Sequence, residues 1–377
     1  MSTTSKSPRM VLLAAYEVGK DALPPYAHRF SPKKFTQPQL FACLVLKAFW
    51  KTDYRGIAAM LDDSPDLRNA IGLTNVPHFT TLQKAARRLL VAAPASTLLT
   101  TTVRRLTGAG RIALAAVDST GLEGRHVSSY FVRRRSKTPG KWQETTYKRY
   151  PKLAVVCDCR THGILSTFTT RGPTPDVHQL RRTLMPAMDR VVIQRLVADA
   201  GYDSEANHVF LREELGIESI IPPEHGRPSS KLPPTRWRRV MATNFDKPTY
   251  GQRWQVETVF SMIKRNLGSA LRGRSYFSQC REMMLLCLAH NIMILLYLLR
   301  AFLQSKPVPF PPRSSFVARR SSFGATVLSK QFAQCLMFLP SGEMKRGHPM
   351  RVALVDVGSI IYQHLGQCQV AICSGPV

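Results

Sequence analysis

Acidic residues are scarce in this sequence: Asp and Glu total 24 of 377 residues, against 53 Lys and Arg. The resulting formal charge of +29 opposes compaction by self-repulsion, so a polyanionic partner is the natural explanation. Nucleic acid leads, because each phosphate contact releases condensed counterions. Closely paired cysteines are missing too. The eight present, Cys43, Cys157, Cys159, Cys280, Cys287, Cys335, Cys368 and Cys373, form no Cys-x2-Cys pair and no zinc-ribbon spacing. Free thiols in a reducing cytoplasm are the expectation. Cys157 and Cys159, with His162 nearby, read as core packing rather than as a metal site. No secretory leader is expected, since residues 1–8 are polar and the short apolar run after them lacks a cleavage-like site. No membrane span is expected either. The nearest candidate, residues 283–299, falls short of the ~20 residues a bilayer needs and carries His290 and Asn291 at its middle, so it reads as a buried helix.

Hydrophobic residues make up 44% of the chain, enough for a real core. Residues 36–105 have a helical pattern. Thr36 with Gln39 resembles a capping box ahead of Leu40, Phe41, Leu44, Val45 and Phe49. Asp53 and Ser64-Pro65 look like further helix starts. A fourth helix from about Thr80 carries Lys84, Arg87 and Arg88 on one side and Leu82, Ala86 and Leu89 on the other. Two readings of this segment stand level: a helix-turn-helix-like DNA reader using those three cations, or a helical bundle with a solvated basic face.

From Arg111 the period changes. Residues 112–117 form a short apolar run ending in Asp118, a buried strand. Residues 152–160 and 164–170 read as two strands about a turn at His162-Gly163. Residues 176–190 are helical. Leu196, Val197 and Ala198 form a strand ending in Asp199, residues 204–215 a helix, and 217–221 a last strand. The order of elements implies an α/β fold, a mixed sheet flanked by helices. Beyond about Lys306 a proline-rich break ends the regular pattern. Three segments follow from this: 1–106, helical and a candidate DNA-binding domain; 111–300, the α/β domain; and 301–377, an appended tail.

Asp118 and Asp199 each end an apolar strand, and strand ends border the crevice where open α/β sheets hold ligands. Either aspartate alone would read as a turn or cap residue. Further along, Tyr250, Arg253, Glu257 and Lys264 fall within an arc of roughly 60° when a helix is wound at 100° per residue. Val256, Phe260, Ile263 and Leu267 take an adjoining face. Taken alone, Arg253 and Glu257 would also suit an ordinary surface pair. Together the three carboxylates suit phosphodiester chemistry. Two hard divalent cations about 3.5–4 Å apart can polarise the attacking and departing oxygens, and such cations take oxygen ligands. Arg253 and Lys264 could then hold phosphates, one as a bidentate fork and the other as a point charge.

These residues resemble a known family, the DDE transposases of bacterial insertion sequences marked by Tyr-x2-Arg-x3-Glu-x6-Lys. Tyr250, Arg253, Glu257 and Lys264 fit that spacing throughout. Residues 116–122, Ala-Val-Asp-Ser-Thr-Gly-Leu, resemble the first-aspartate block. Residues 198–204, Ala-Asp-Ala-Gly-Tyr-Asp-Ser, resemble the second. The resemblance runs from about Thr36 to about Leu299. It implies a ribonuclease-H-like catalytic fold, two Mg²⁺ or Mn²⁺ ions held by Asp118, Asp199 and Glu257, and DNA or phosphate contacts from Tyr250, Arg253 and Lys264. It also implies double-stranded DNA partners, namely terminal inverted repeats and target DNA, and work as a homodimer in the bacterial cytoplasm, at the nucleoid when bound to DNA. The chain departs from the pattern after Leu299, and the tail is expected to be a translated extension.

Between Glu123 and Lys152, both included, stand nine Lys or Arg residues and two acidic ones. Arg133, Arg134 and Arg135 are the densest cluster, interleaved with Tyr130, Phe131, Trp142 and Tyr147. This stretch reads as a basic loop beside Asp118, able to track a DNA backbone or else merely solvated. Two other function classes fit the residues less well. A DNA-binding regulator without chemistry would have no need of all three acidic positions. A nuclease or resolvase would share the metal chemistry but not the Tyr-Arg-Glu-Lys spacing.

Overall fold

The computed structural model describes residues 6–108, 110–124, 130–135, 142–147, 150–223 and 232–304, with side chains at 92, 130–135, 142–147 and 300–304 excepted. Six helices come first: α1 (Pro8–Ala22), α2 (Gln37–Phe49), α3 (Tyr54–Asp62), α4 (Pro65–Ala70), α5 (Phe79–Leu89) and α6 (Ala92–Thr107). The helix starts follow local chemistry. Thr36 Oγ1 accepts from the Gln39 N–H while the Gln39 side chain accepts from the Thr36 N–H, a reciprocal capping box. Asp53 caps α3 through the Gly56 N–H at 2.7 Å. Ser64 supplies no such bond to α4, and α5 begins at Phe79 with His78 as its cap. The helix α1 has no counterpart in the sequence reading.

The sheet is built from β1 (Arg111–Gly121), β5 (Tyr150–Asp158), β6 (Ile164–Gly172), β7 (Val192–Ala198) and β8 (Glu218–Ile220). The shorter β2 (Glu123–Gly124), β3 (Tyr130–Arg135) and β4 (Trp142–Tyr147) intervene in the chain. The strand order is β6-β5-β1-β7-β8. β5 runs antiparallel to both its neighbours, β1 and β6, while β7 and β8 run parallel to β1. That order and sense make a ribonuclease-H-like mixed sheet. Residues expected to be a loop contain the antiparallel pair β3–β4, in which Arg133 stands opposite Glu144, Arg134 opposite Gln143 and Arg135 opposite Trp142.

The remaining elements are α7 (Leu180–Met188), α8 (Glu205–Val209), α9 (Arg236–Thr243), α10 (Lys247–Tyr250), α11 (Trp254–Leu267), β9 (Ala270–Leu271), which pairs with β2, and α12 (Tyr276–Gln304). α7 is shorter than the helical pattern suggested. The preceding Gly-Pro-Thr-Pro run resists helix, and the Asp176 carboxylate is used elsewhere. α8 passes into one wide π turn over Phe210–Glu214.

One apolar core runs from Val11 on α1 through the sheet to Met293 on α12. Two polar residues stitch the helices to the sheet across it. The Arg190 guanidinium donates to Thr100 Oγ1 and Ser96 Oγ on α6 and to the Leu165 carbonyl on β6. Asn291 of α12, fully buried, accepts from the Ile164 N–H at 2.8 Å and donates to the Ile164 carbonyl at 2.9 Å and to Thr102 Oγ1 at 3.1 Å. β6 is a sheet edge, so Asn291 acts there as the ladder partner a further strand would have been. α12 is long and apolar enough to cross a membrane by composition. Its segment Met283–Met293 is instead packed into the protein core. The described residues up to Tyr297 form one compact unit. Most of the tail read from sequence, residues 305–377, lies outside the described residues.

Candidate functional site

Register decides where the first two carboxylates stand. β1 and β7 run side by side in the same direction, with Val117 opposite Ala198. The next residue on each is Asp118 and Asp199, so both lie at the same end of adjacent parallel strands, the sheet edge where such folds place ligands. Their environments differ. The Asp118 side chain is 19% exposed and Oδ1 accepts from the Ser119 N–H at 2.7 Å. Asp199 is exposed and caps the tight turn Ala200–Tyr202 through the Ala200 N–H. Asp203, four residues on, has a different job: its buried carboxylate accepts from the Arg238 guanidinium at 2.8 Å.

The third carboxylate arrives on α11. Val256, Phe260, Ile263 and Leu267 are buried as the apolar stripe required, which leaves Glu257 54% exposed on the other side. The helix does not run uninterrupted from Tyr250. Tyr250 ends α10, and a single tighter turn, Gly251–Arg253, leads into α11. The expected single face is therefore two short pieces in series, and the tight turn carries the Arg253 guanidinium to the strand end. Arg253 Nη2 donates to Glu257 Oε1 at 2.6 Å, and Nη1 stands 3.6 Å from Asp118 Oδ2. Two turns beyond Glu257, Lys264 Nζ donates to Thr120 Oγ1 at 2.7 Å. Asp118 and Thr120 are two apart on β1 and share a face, so Arg253 and Lys264 both meet one side of that strand. The Tyr250 ring packs on Phe245 and its phenol ionises less readily than usual, through burial first, with Arg253 opposing and Asp199 adding to the effect.

Behind β1 lies a second layer that sequence reasoning missed. Ser119 faces away from Arg253, and its hydroxyl donates to Asp176 Oδ1 at 2.9 Å. The same oxygen pairs with Lys152 Nζ at 2.7 Å. Asp176 follows a Gly-Pro-Thr-Pro run and reads in the sequence only as the start of a helix, so nothing set it apart.

The electrostatic result is a cluster of carboxylates threaded by Arg253 and Lys152. Burial pushes the Asp118 carboxyl up to about 6. The Ser119 N–H and Arg253 pull it back, while Asp199 and Asp176 push it further. Among the described residues, no three of His, Cys, Asp and Glu stand close enough to form a ligand set by themselves. The group that ties Glu257 to Asp118 is Arg253.

The basic positions expected to meet DNA divide in two. Lys84, Arg87 and Arg88 are exposed on α5, opposite buried Leu82, Ala86 and Leu89. Arg133, Arg134 and Arg135 lie on β3, and their side chains lie outside the described residues. The described cysteines are free, and Cys43, Cys157, Cys159 and Cys287 are buried. Burial pushes the Cys159 thiol up to about 12, the state of a packing residue rather than a metal ligand.

Comparison with known proteins agrees with this picture. No curated protein matches the chain in sequence. Among solved structures, a cryo-EM structure of a piggyBac transposase synaptic complex with hairpin DNA aligns at 12% identity, covering 76% of this chain and 71% of that one, with a TM-score of 0.39. Residues 110–292, which hold both strand-end aspartates and the Tyr-Arg-Glu-Lys residues, match the model of the transposase DDE domain. Those residues thus make up a transposase DDE domain, and the class of activity is that of a DNA transposase.

Proposed function

We propose that this chain is the transposase of an insertion sequence, which binds the element's ends, cuts them to free a 3′-hydroxyl and joins that hydroxyl to target DNA. The observation that carries the reading is the meeting at one sheet edge of Asp118, Asp199 and, through Arg253, Glu257. The donor set fits divalent cations. It is all carboxylate oxygen, as Mg²⁺ or Mn²⁺ prefers, and Asp118 is desolvated with Asp199 and Asp176 near it. Asp118, Asp199 and Glu257 would hold two such ions, with Glu257 Oε1 released from Arg253. Bound there, the ions would polarise the scissile phosphate and the oxygens entering and leaving it.

The other groups act on the DNA itself. Arg253, released from Glu257, offers a fork to a non-bridging phosphate oxygen. Lys264 supplies a point charge two residues further along β1, at Thr120. Tyr250, half-buried near Arg253, gives a hydroxyl and a ring face. Lys152 and Ser119 fix Asp176 behind the site and so hold β1 in place. The exposed cations of α5 and the arginines of β3 extend the basic surface along the duplex. In this reading residues 1–106 contact the ends, 111–300 carry the chemistry, 301–377 are an appendage, and two copies work on paired ends at the bacterial nucleoid.

The test is metal-dependent nicking of the element's end DNA by wild type and by Asp199→Asn. Nicking by wild type alone is expected. Equal nicking by both removes the aspartate from the chemistry and with it the assignment.

A further inference from the structure

A second concave feature involves none of the three carboxylates. It is a cleft of about 630 Å³ between α2, α3, α5, the loop after β9 and the start of α12. Five cations line it: Lys47, Arg87, Arg272, Arg274 and Arg281. Its two carboxylates, Asp53 and Glu282, already serve the backbone. Asp53 caps α3, and Glu282 Oε2 accepts from the N–H groups of Arg272 and Gly273 at 2.9 Å each. Gly273 itself is pressed against α12, where a Cβ would stand 2.8 Å from the Gln279 nitrogen. The loop is thus fixed by Glu282 below it and by the absence of a side chain at its closest approach. Arg272 is spent on the Lys51 carbonyl. Arg87, Arg274 and Arg281 make no ion pair among the described residues.

Lys47 is the informative residue. It is 6% exposed, on the buried side of α2 among Cys43, Leu44 and Leu46. Its ammonium lies 4.9 Å from the Tyr54 ring centre and donates no hydrogen bond among the described residues. Burial lowers its pKa, with Glu282 opposing, Arg272 reinforcing and Asp53 opposing. The stem is buried while the ammonium opens on the cleft, and a leucine or methionine would serve the core better. A lysine in this place, at the wall of a cleft rimmed by unpaired arginines, points to an anion that completes it.

We propose that this cleft is a second DNA contact, a subsite for the phosphodiester backbone with Lys47 at its floor and Arg87, Arg274 and Arg281 at its rim. Three unpaired guanidiniums carried on two helices and a loop suit successive phosphates of a strand better than one small anion. Each can take a phosphate as a bidentate fork. The inference rests on DNA being the partner but not on the carboxylate chemistry.

The experiment measures binding of the full chain to a labelled duplex by fluorescence anisotropy across a salt series, in EDTA so that no cleavage occurs. Failure of the catalytic assignment would leave this readout untouched. The double variant Arg274→Gln/Arg281→Gln should bind about 10- to 100-fold more weakly. Its log–log salt dependence should be shallower by about two, close to one per lost phosphate contact. Lys47→Met should weaken binding while holding or raising the melting temperature, which also guards against a variant that merely fails to fold. An unchanged affinity and slope in the double variant would overturn the proposal. So would a lowered melting temperature in Lys47→Met with binding intact, the mark of a purely structural ion pair with Glu282. Displacement of the duplex by inorganic phosphate or a mononucleotide at equal phosphate concentration would assign the cleft to a small anion instead.

Discussion

The Arg253 guanidinium donates to Glu257 at 2.6 Å across one turn of helix, and its other terminal nitrogen reaches 3.6 Å toward Asp118. A surface pair of this kind contributes little to folding, because Glu257 is more than half exposed and solvent screens it. Glu257→Gln should therefore leave the unfolding free energy within about 1 kcal/mol of wild type. Single-turnover nicking should fall by about a hundredfold or more, the scale of losing one preorganised charge at a reacting centre. Nicking at the wild-type rate would sink Glu257 as a member of the site.

Asn291 offers a test of the fold. Asn291→Ala would leave both backbone groups of Ile164 without their partner in a buried place. A loss of about 2–4 kcal/mol in urea unfolding is expected, since each orphaned buried group costs about 1–3 kcal/mol. A loss below about 0.5 kcal/mol would mean that β6 can satisfy its edge in another way.

His290 gives stability a pH dependence. It is fully buried, Nε2 faces the His162 carbonyl at 2.9 Å, and burial lowers its pKa to about 4 from 6.5, the His162 carbonyl opposing and the His162 ring reinforcing. Between those values the unfolded chain holds a proton that the folded chain refuses. Stability is therefore complete above the unfolded value and falls with acid down to about 4, by up to about 1.4 kcal/mol per pH unit. Urea titrations at several pH values should show that slope in wild type and a shallower one in His290→Gln. Parallel curves would assign the dependence to other groups.

The parts of this molecule legible in its sequence are those where a local rule and the tertiary structure agree. The apolar runs before Asp118 and Asp199 became adjacent strands because a parallel pair buried on both faces needs little else. The Thr36–Gln39 box and the buried stripe of α11 were fixed by spacing alone. The misses fall where packing or pairing overrode the local signal. Asp176 reads as a helix start but is taken by Lys152 and Ser119, so α7 begins at Leu180. Residues 130–147 carry the basic, turn-rich composition of a loop and nevertheless pair as β3–β4. The tight turn between Tyr250 and Trp254 is invisible to a model wound at constant pitch. Nothing in the spacing sets Lys47 apart, and only the packing of α2 shows it buried.

β1 holds the middle of the sheet, laddered to β5 on one side and β7 on the other. A slip of one residue in either ladder would turn Asp118 through the sheet and bring Ser119 under Arg253. Chemistry in this protein is thus tied to alignment rather than to any one flexible loop. Substitutions that relax β1, even far from the carboxylates, should silence the enzyme while it still passes for folded.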